Sequence, residues 1–221
     1  MADLKFPYLK GLQTFNEEGV VKRLFTSGTN LSIDKINWPE HPYKPKVEVY
    51  AGYNYKYLWL HFTIQQDYFH AAGKIDQDPV YQDSCVEFFV QVGDNYRNFE
   101  FNCLGVCLSA IGPDRHSRTR LDSENLSKVL RFPSLDPNAL PVEGSQFDWS
   151  LTVGIPLELI ELTTGSKFRG NFYKCGDKTK IPHYVTWAPI DIPAPDFHIP
   201  EYFGEIEMGE AVGRWSVVGE K

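Results

Sequence analysis

The feature that most constrains the fold of this chain is a run of ten residues, DSCVEFFVQV, at positions 83–92. Read as a strand with period-two alternation, it has two different faces. One face carries Val86, Phe88, Val90 and Val92, and the other carries Cys85, Glu87, Phe89 and Gln91. The first face is entirely apolar and indicates the core side of a sheet. A carboxylate on the second face is costly to bury unpaired, so Glu87 either reaches solvent on a wet sheet face or lines a groove.

Similar alternation recurs along the chain and predicts many short strands. They cover residues 5–9, 47–53, 57–64, 97–103, 106–111, 149–155, 167–175, 184–189 and 203–208. Residues 156–162 are the one predicted helical turn, with proline at its first position, and the first 30 residues show no sustained helical period. The sequence therefore predicts an all-β fold, an antiparallel β-sandwich of the immunoglobulin-like jelly-roll kind, with long loops and one short helix. A single domain spans 1–221, and residues 112–144 form a loop excursion outside the sandwich.

Charge and composition exclude several classes of function. The net charge is −7 with no basic stripe, which disfavours nucleic acid as a partner. No apolar run approaches the ~18 residues of a membrane span, and the N-terminus lacks the apolar stretch of a secretory leader. The four cysteines have neither zinc-type spacing nor the density of a disulfide scaffold, so we expect free thiols. The 15 Phe, 12 Tyr and 5 Trp leave rings available for stacking on a flat ligand.

A set of polar and aromatic side chains falls on or beside the non-core strand faces. Sugars are held by aromatic rings that stack on their apolar faces and by polar side chains that bond their hydroxyls. The candidate sugar-binding residues are Tyr81, Glu87, Glu100, Asn102, Arg169, Asn171 and Trp187. The arginines of residues 112–144 either line a groove or only solvate a loop, and Trp187 is either a binding plate or a core residue at the rim.

The main alternative is a glycan-processing hydrolase that uses Glu87 and Glu100 as its carboxyl pair. Neither glutamate has an evident apolar pocket that would raise its pKa, and two glutamates on one wet sheet face are common. The sequence has no G-x-S-x-G nucleophile elbow, and its six histidines never pair at HxH or HxxxH spacing. We therefore expect no catalytic residue and favour binding over catalysis.

Several motifs together resemble the family 9 carbohydrate-binding modules, especially the single-domain relatives of gut Bacteroidetes. They are YQDSCVEFF at 81–89, FEFN at 99–102, TWAP at 186–189 and FGEI at 203–206. The resemblance covers residues 47–208 and implies a DOMON-like sandwich that binds sugar without catalysis. It implies that a terminal sugar lies between Tyr81 and Trp187, with Glu87 as hydroxyl acceptor and Asn102 nearby. Tyr81 replaces a typical tryptophan, and Glu100 stands where a basic residue can occur.

The resemblance carries further expectations about cofactors and location. No cofactor is required, and structural calcium would use Asp and backbone oxygens of the 65–83 loop. The partner would be a mono- or oligosaccharide, commonly bound at a chain end, in the course of polysaccharide breakdown. The protein would be secreted or periplasmic, with cytoplasmic as the alternative. DOMON-like domains also hold haem, for which His198 or Met208 could be nominated. The identity of the sugar and the oligomeric state stay open.

Overall fold

Two β-sheets pack face to face in the computed structural model, which describes residues 4–12, 16–142 and 145–210. Neighbouring strands are antiparallel throughout the described ladders except for the parallel pair of β1 with β14. The strands are β1 (Leu4–Phe6), β2 (Thr29–Ser32), β3 (Lys35–Ile36), β4 (Lys46–Tyr53), β5 (Tyr57–Gln66), β6 (Cys85–Val92), β7 (Asn95–Asn102), β8 (Cys107–Gly112), β9 (Thr119–Arg120), β10 (Leu130–Pro133), β11 (Phe147–Pro156), β12 (Lys167–Cys175), β13 (Tyr184–Thr186) and β14 (Gly204–Met208).

The larger sheet has nine strands and places β6 near its centre. Its main order is β1-β14-β12-β6-β7-β8-β9, with β13 pairing β12 and β3 pairing β13. The second sheet has five strands in the order β10-β11-β5-β4-β2. Because both sheets contribute one apolar face to a common interior, the predicted antiparallel β-sandwich is confirmed.

The core follows the alternation that the sequence shows. Val86, Phe88 and Val90 of β6 lie in the same buried cluster as Leu60 and Phe62 of β5. The neighbouring residues of β6 point to the opposite, outer face of the nine-stranded sheet. This outer face is nevertheless buried at its centre, because long loops cover it, and Phe89 lies there in a second apolar cluster.

The helical content is larger than predicted. The structure contains α1 (Glu17–Ser27), α2 (Ser123–Ser127) and α3 (Leu157–Ile160), with 3₁₀ turns at Val80–Gln82 and Pro200–Tyr202. Only α3 matches the one predicted helical turn, so the expectation of one short helix is wrong. Helix α1 buries only Val20 and Leu24, which lie one turn apart. Two buried residues are too few to produce a sustained helical period in the sequence.

Contrary to the prediction, the segment 112–144 is not wholly outside the sandwich. Strand β9 pairs with β8, and β10 pairs with β11, so each adds an edge strand to one of the two sheets. The two strands contain two and four residues, which is too short for alternation to distinguish them from loop. Within the described part of the chain, no helix is long and apolar enough to cross a membrane.

Candidate functional site

A cleft of about 400 Å³ opens on the outer face of the nine-stranded sheet. Strands β6, β7, β8 and β12 supply its floor, which includes Glu87, Glu100, Leu108 and Cys175. Glu87 lies directly opposite Glu100 in the β6–β7 ladder, and Glu100 lies opposite Leu108 in the next ladder. The sheet register therefore brings the two glutamates side by side, as the sequence predicts.

Loops and short elements form the walls of the cleft. The wall residues are Tyr81, Arg115, His116, Arg118, Arg120, Asp177, Tyr184, Pro195, Asp196, Phe197 and His198, whereas Ala110 of β8 belongs to the floor. The sequence left open whether the four arginines of residues 112–144 line a groove or solvate a loop. Arg115, Arg118 and Arg120 line the cleft. Arg131 instead forms an ion pair with Asp76.

Glu87 is buried beside two thiols. Its Oε1 lies 3.1 Å from Cys175 Sγ and 3.9 Å from Cys85 Sγ. Burial, reinforced by the neighbouring Cys175 and Glu100, raises the pKa of the Glu87 carboxyl well above its usual range. Glu87 therefore keeps its proton to a higher pH than an exposed glutamate, and while protonated it can donate as well as accept a hydrogen bond.

Glu100 has one carboxyl oxygen bonded and one free. Its Oε1 accepts from Asn98 Nδ2 at 2.9 Å, whereas Oε2 is buried and has no partner among the described residues. Burial raises the pKa of Glu100 to about 7, opposed by the charge of Arg118 and by the Asn98 hydrogen bond. The expectation that neither glutamate has surroundings that raise its pKa is wrong, because loops cover the sheet face that the sequence shows as exposed.

A hydrogen-bonded series fixes one arginine in the cleft wall. Arg118 Nη1 donates to Asn98 Oδ1 at 3.0 Å and lies 3.3 Å from His198 Nδ1. The hydroxyl of Tyr96 lies 2.9 Å from the same His198 nitrogen. Burial, together with Arg118 and Arg115, lowers the pKa of His198 to about 3. His198 is therefore neutral, and it can accept a hydrogen bond from Arg118 without charge repulsion.

Two tyrosines supply the aromatic walls. Tyr81 is 37% exposed, and the 3₁₀ turn before β6 positions it. Tyr184 lies on β13 opposite Cys175 of β12 and so shares the cleft-facing side of that ladder. Its ring packs edge-on against His41, with 4.8 Å between ring centroids, which leaves it partly buried. The sequence analysis did not name Tyr184 as a candidate. The alternation of residues 184–187, once this strand is paired with residues 167–175, predicts that Tyr184 shares a face with Cys175.

Trp187 does not line the cleft. It follows Thr186, so it lies with Val185 on the core side, and its ring packs edge-on against Phe172 with 6.0 Å between centroids. Gly204 leaves room for the indole, since a Cβ at that position would come within 2.5 Å of the ring. Trp187 is therefore a core residue at the rim and not a binding plate. Tyr81 lines the cleft, but Trp187 does not lie opposite it there.

Asn102 is a buried structural residue in a loop anchor. Its Nδ2 donates to Asp83 Oδ2 at 2.9 Å and to the carbonyl of Gly73, and its Oδ1 accepts from the amides of Leu104 and Val106. These bonds occupy the donors and acceptors of the Asn102 side-chain amide. Asn102 therefore does not line the cleft, although it lies on the same strand face as Glu100.

Asn171 and Arg169 also bond to the protein itself. The amide of Asn171 is fully buried and bonds both the carbonyl and the N–H of Ala188. Arg169 donates to the carbonyls of Phe203 and Glu201 and lines a separate groove with Glu205 and Glu207. Of the seven predicted residues, the cleft thus brings together Tyr81, Glu87 and Glu100.

Three of the four carboxylates of the 65–83 loop, those of Asp76, Asp78 and Asp83, accept hydrogen bonds from protein donors. Asp83 accepts from the amides of Ala72 and Gly73, Asp78 from those of Lys74 and Ile75, and Asp76 from Cys107 N and Arg131. A calcium ion needs six to eight oxygen ligands, and these groups do not fit one without breaking those bonds. Calcium binding stays a prediction.

The two nominated haem ligands lie apart. His198 lines the cleft on the outer face of the nine-stranded sheet, whereas Met208 is fully buried in the core between the sheets. Because the two residues lie on opposite sides of one sheet, they cannot ligate the same haem, and haem binding through either one alone stays a prediction.

Comparison with known proteins identifies the family. The model of carbohydrate-binding family 9 matches residues 25–208. The chain belongs to this family. A solved structure from Bacteroides uniformis, of a protein assigned a carbohydrate-binding role, is 31% identical, with a TM-score of 0.86 over 93% of this chain and 98% of that one.

More distant solved structures show that the family 9 fold extends to this chain. A family 9 module from Caldicellulosiruptor kristjanssonii in complex with cellotriose is 12% identical, with a TM-score of 0.60 over 99% of both chains. Another from the same organism in complex with glucose is 12% identical, with a TM-score of 0.57 over 95% of this chain and 98% of that one. At this identity the likeness concerns the fold alone. Among curated proteins, no sequence matches this chain.

Proposed function

We propose that this family 9 protein binds a sugar without catalysis, and that the cleft lined by Tyr81, Tyr184, Glu87, Glu100 and Arg118 is the site. The observation that carries the proposal is Glu100 Oε2, a buried oxygen without a partner among the described residues, which belongs to a residue lining the cleft. Leaving such a group unsatisfied costs about 1–3 kcal/mol, and a ligand hydroxyl that reaches it recovers that cost.

The remaining lining groups suit a sugar. The cleft volume of about 400 Å³ is in the range of small-ligand sites. Tyr81 and Tyr184 place aromatic rings at the cleft for stacking, and the Glu87 carboxyl, whose pKa burial raises, can in its protonated form donate to one hydroxyl while its carbonyl oxygen accepts from another. Arg118, held by Asn98, offers further donors. A solvent-open site of this kind predicts modest affinity, in the micromolar to millimolar range, or about −4 to −8 kcal/mol.

The binding contribution of the cleft aromatic is tested by Tyr184→Ala. We expect the association constant for the best sugar in a mono- and oligosaccharide panel to fall about five- to thirtyfold, because the variant loses a stacking surface worth ~1–2 kcal/mol. Isothermal titration calorimetry measures the change.

Tyr55→Ala is the matched control for that titration. Tyr55 is 76% exposed and lies outside the cleft, so its removal leaves the affinity unchanged. Equal affinities of wild type and Tyr184→Ala for every sugar bound would contradict the assignment of this cleft. A panel without any bound sugar would contradict the proposed function itself.

The hydrolase alternative gains one specific observation. Glu87 and Glu100 are ladder partners, and burial raises the pKa of Glu87, as a general acid beside a second carboxyl requires. A turnover assay with aryl glycosides separates the two functions. Binding without catalysis predicts no turnover above buffer, whereas turnover that disappears in Glu87→Gln would establish the hydrolase.

Location and biological context are proposals that follow from the family. We propose that the protein acts in polysaccharide breakdown, in a secreted or periplasmic setting, with mono- or oligosaccharides as partners. Fractionation of the native host, with detection by antibody, tests the location.

A further inference from the structure

A cluster of three potential metal ligands lies at the floor of the cleft. Cys85, Glu87 and Cys175 place one ligand atom each, all within 4.8 Å of one another, and all three residues are buried. Cys85 and Cys175 are direct partners in the β6–β12 ladder, and Glu87 follows Cys85 by two residues on the same strand face. The pairing of two central strands, rather than a mobile loop, therefore sets their arrangement.

The separations in the cluster match those of a tetrahedral thiolate site. Zinc–sulfur bonds of ~2.3 Å and zinc–oxygen bonds of ~2.1 Å place a sulfur and an oxygen ligand ~3.6 Å apart in a tetrahedron. The two sulfur–oxygen separations here, 3.1 Å to Cys175 and 3.9 Å to Cys85, lie on either side of that distance. An ion can therefore enter with small side-chain rotations.

The surroundings leave a fourth position and balance the charge. Glu87 and Cys175 line the cleft, so a water or a ligand hydroxyl can approach an ion from that side. Glu100, whose Oε2 is buried without a partner among the described residues, lies beside Glu87 on the adjacent strand. Two thiolates and a carboxylate carry three negative charges, of which a divalent cation cancels two, and the buried Lys174, whose Nζ bonds the carbonyl of Cys175, carries a positive charge on the other side of the strand.

We propose that Cys85, Glu87 and Cys175 form a binding site for one thiophilic divalent cation of the zinc type, open on its fourth side to the cleft. Soft thiolate ligands select such an ion over calcium or magnesium. On binding, each thiol and the carboxylic acid releases its proton to solvent as its sulfur or oxygen bonds the metal. The other two cysteines, Cys103 and Cys107, lie in the core on the opposite face and are not part of this cluster.

Direct metal titration tests the site in the absence of any sugar, so its outcome is independent of the carbohydrate proposal. The full chain is reduced, stripped with a chelator and titrated with Co²⁺ and then with Zn²⁺. We expect one equivalent of Co²⁺ to give thiolate-to-metal charge-transfer absorption, which Zn²⁺ displaces. Absence of this band, or binding without a defined stoichiometry, would overturn the proposal.

Variants assign the ligands. Cys175→Ser and Glu87→Gln are expected to weaken Zn²⁺ binding at least tenfold, measured by competition with a chromophoric chelator. Cys103→Ala, which removes a buried thiol from the core face, leaves the affinity unchanged. Equal weakening in Cys103→Ala would contradict the site. A wild-type protein in which Cys85 and Cys175 form a disulfide under air, and which never takes up metal, would contradict it as well. Where a variant fails to fold by circular dichroism, the wild-type Co²⁺ spectrum still decides.

Discussion

Replacing Phe172 by alanine is expected to lower the free energy of unfolding by about 3–5 kcal/mol. Phe172 is fully buried at the centre of β12, where its ring stacks on Phe88 with 4.8 Å between centroids. It also meets the edges of Phe6 and Trp187, so truncation removes contacts with three aromatic rings at once. The loss combines the transfer of a phenyl group to water with the cavity that a rigid sheet cannot close.

Urea denaturation of the full chain, followed by tryptophan fluorescence, measures this loss. Tyr55→Ala is the control, because its side chain is 76% exposed and its removal changes the stability by less than about 0.5 kcal/mol. A Phe172→Ala midpoint within error of the wild type would show that the two sheets do not pack through this residue.

Replacing Glu100 by glutamine is expected to stabilise the protein at pH 8 by on the order of 3 kcal/mol, and to leave its stability nearly unchanged at pH 4. The folded-state pKa of Glu100 is about 7, above the ordinary value of 4.5. Between these two values the unfolded chain releases this proton while the folded chain keeps it, so the free energy of unfolding falls as the pH rises from about 4.5 to 7. A tenfold difference in acidity between the folded and unfolded chains corresponds to about 1.4 kcal/mol, and glutamine removes the charge that carries this cost.

The measurement is a pair of urea unfolding curves for wild type and Glu100→Gln at each pH. The difference between the two proteins isolates Glu100 from other groups that titrate in the same range, apart from its electrostatic coupling to Glu87. Asp94→Asn, which removes a carboxylate from the exposed β6–β7 turn, is the matched control. A Glu100→Gln effect that is the same at pH 4 and pH 8 would contradict the raised pKa.

These two predictions differ in how far the sequence anticipates them. The alternation of residues 167–175 already predicts that Phe172 faces inward, and the structure confirms it. The same reasoning gives the faces of β6 and β7, the β4–β5 hairpin and the pairing of Glu87 with Glu100. Strand periodicity is a local property of consecutive residues, so it can be read without knowing what covers the sheet.

The helix α1 and the short strands β9 and β10 escaped sequence reasoning for a related reason. Each has too few buried residues to impose a period, and each is stabilised by the sheet or core that it joins. The cleft walls also depend on contacts between residues that are far apart in sequence. Arg118 and His198 are 80 residues apart in sequence, and their contact depends on two long loops that fold over the same sheet face.

The sequence by itself determined the β-sandwich, the division of β6 into an apolar and a polar face, and the presence of two neighbouring glutamates on the outer side of one sheet. Tertiary structure alone decided that loops bury those glutamates and raise their pKa values, that Tyr184 rather than Trp187 faces the cleft, and that Asn102 and Asn171 hold loops instead of ligand. The physical reason is that alternation fixes the direction of a side chain relative to its own strand, whereas burial, charge and accessibility depend on distant segments that pack above it.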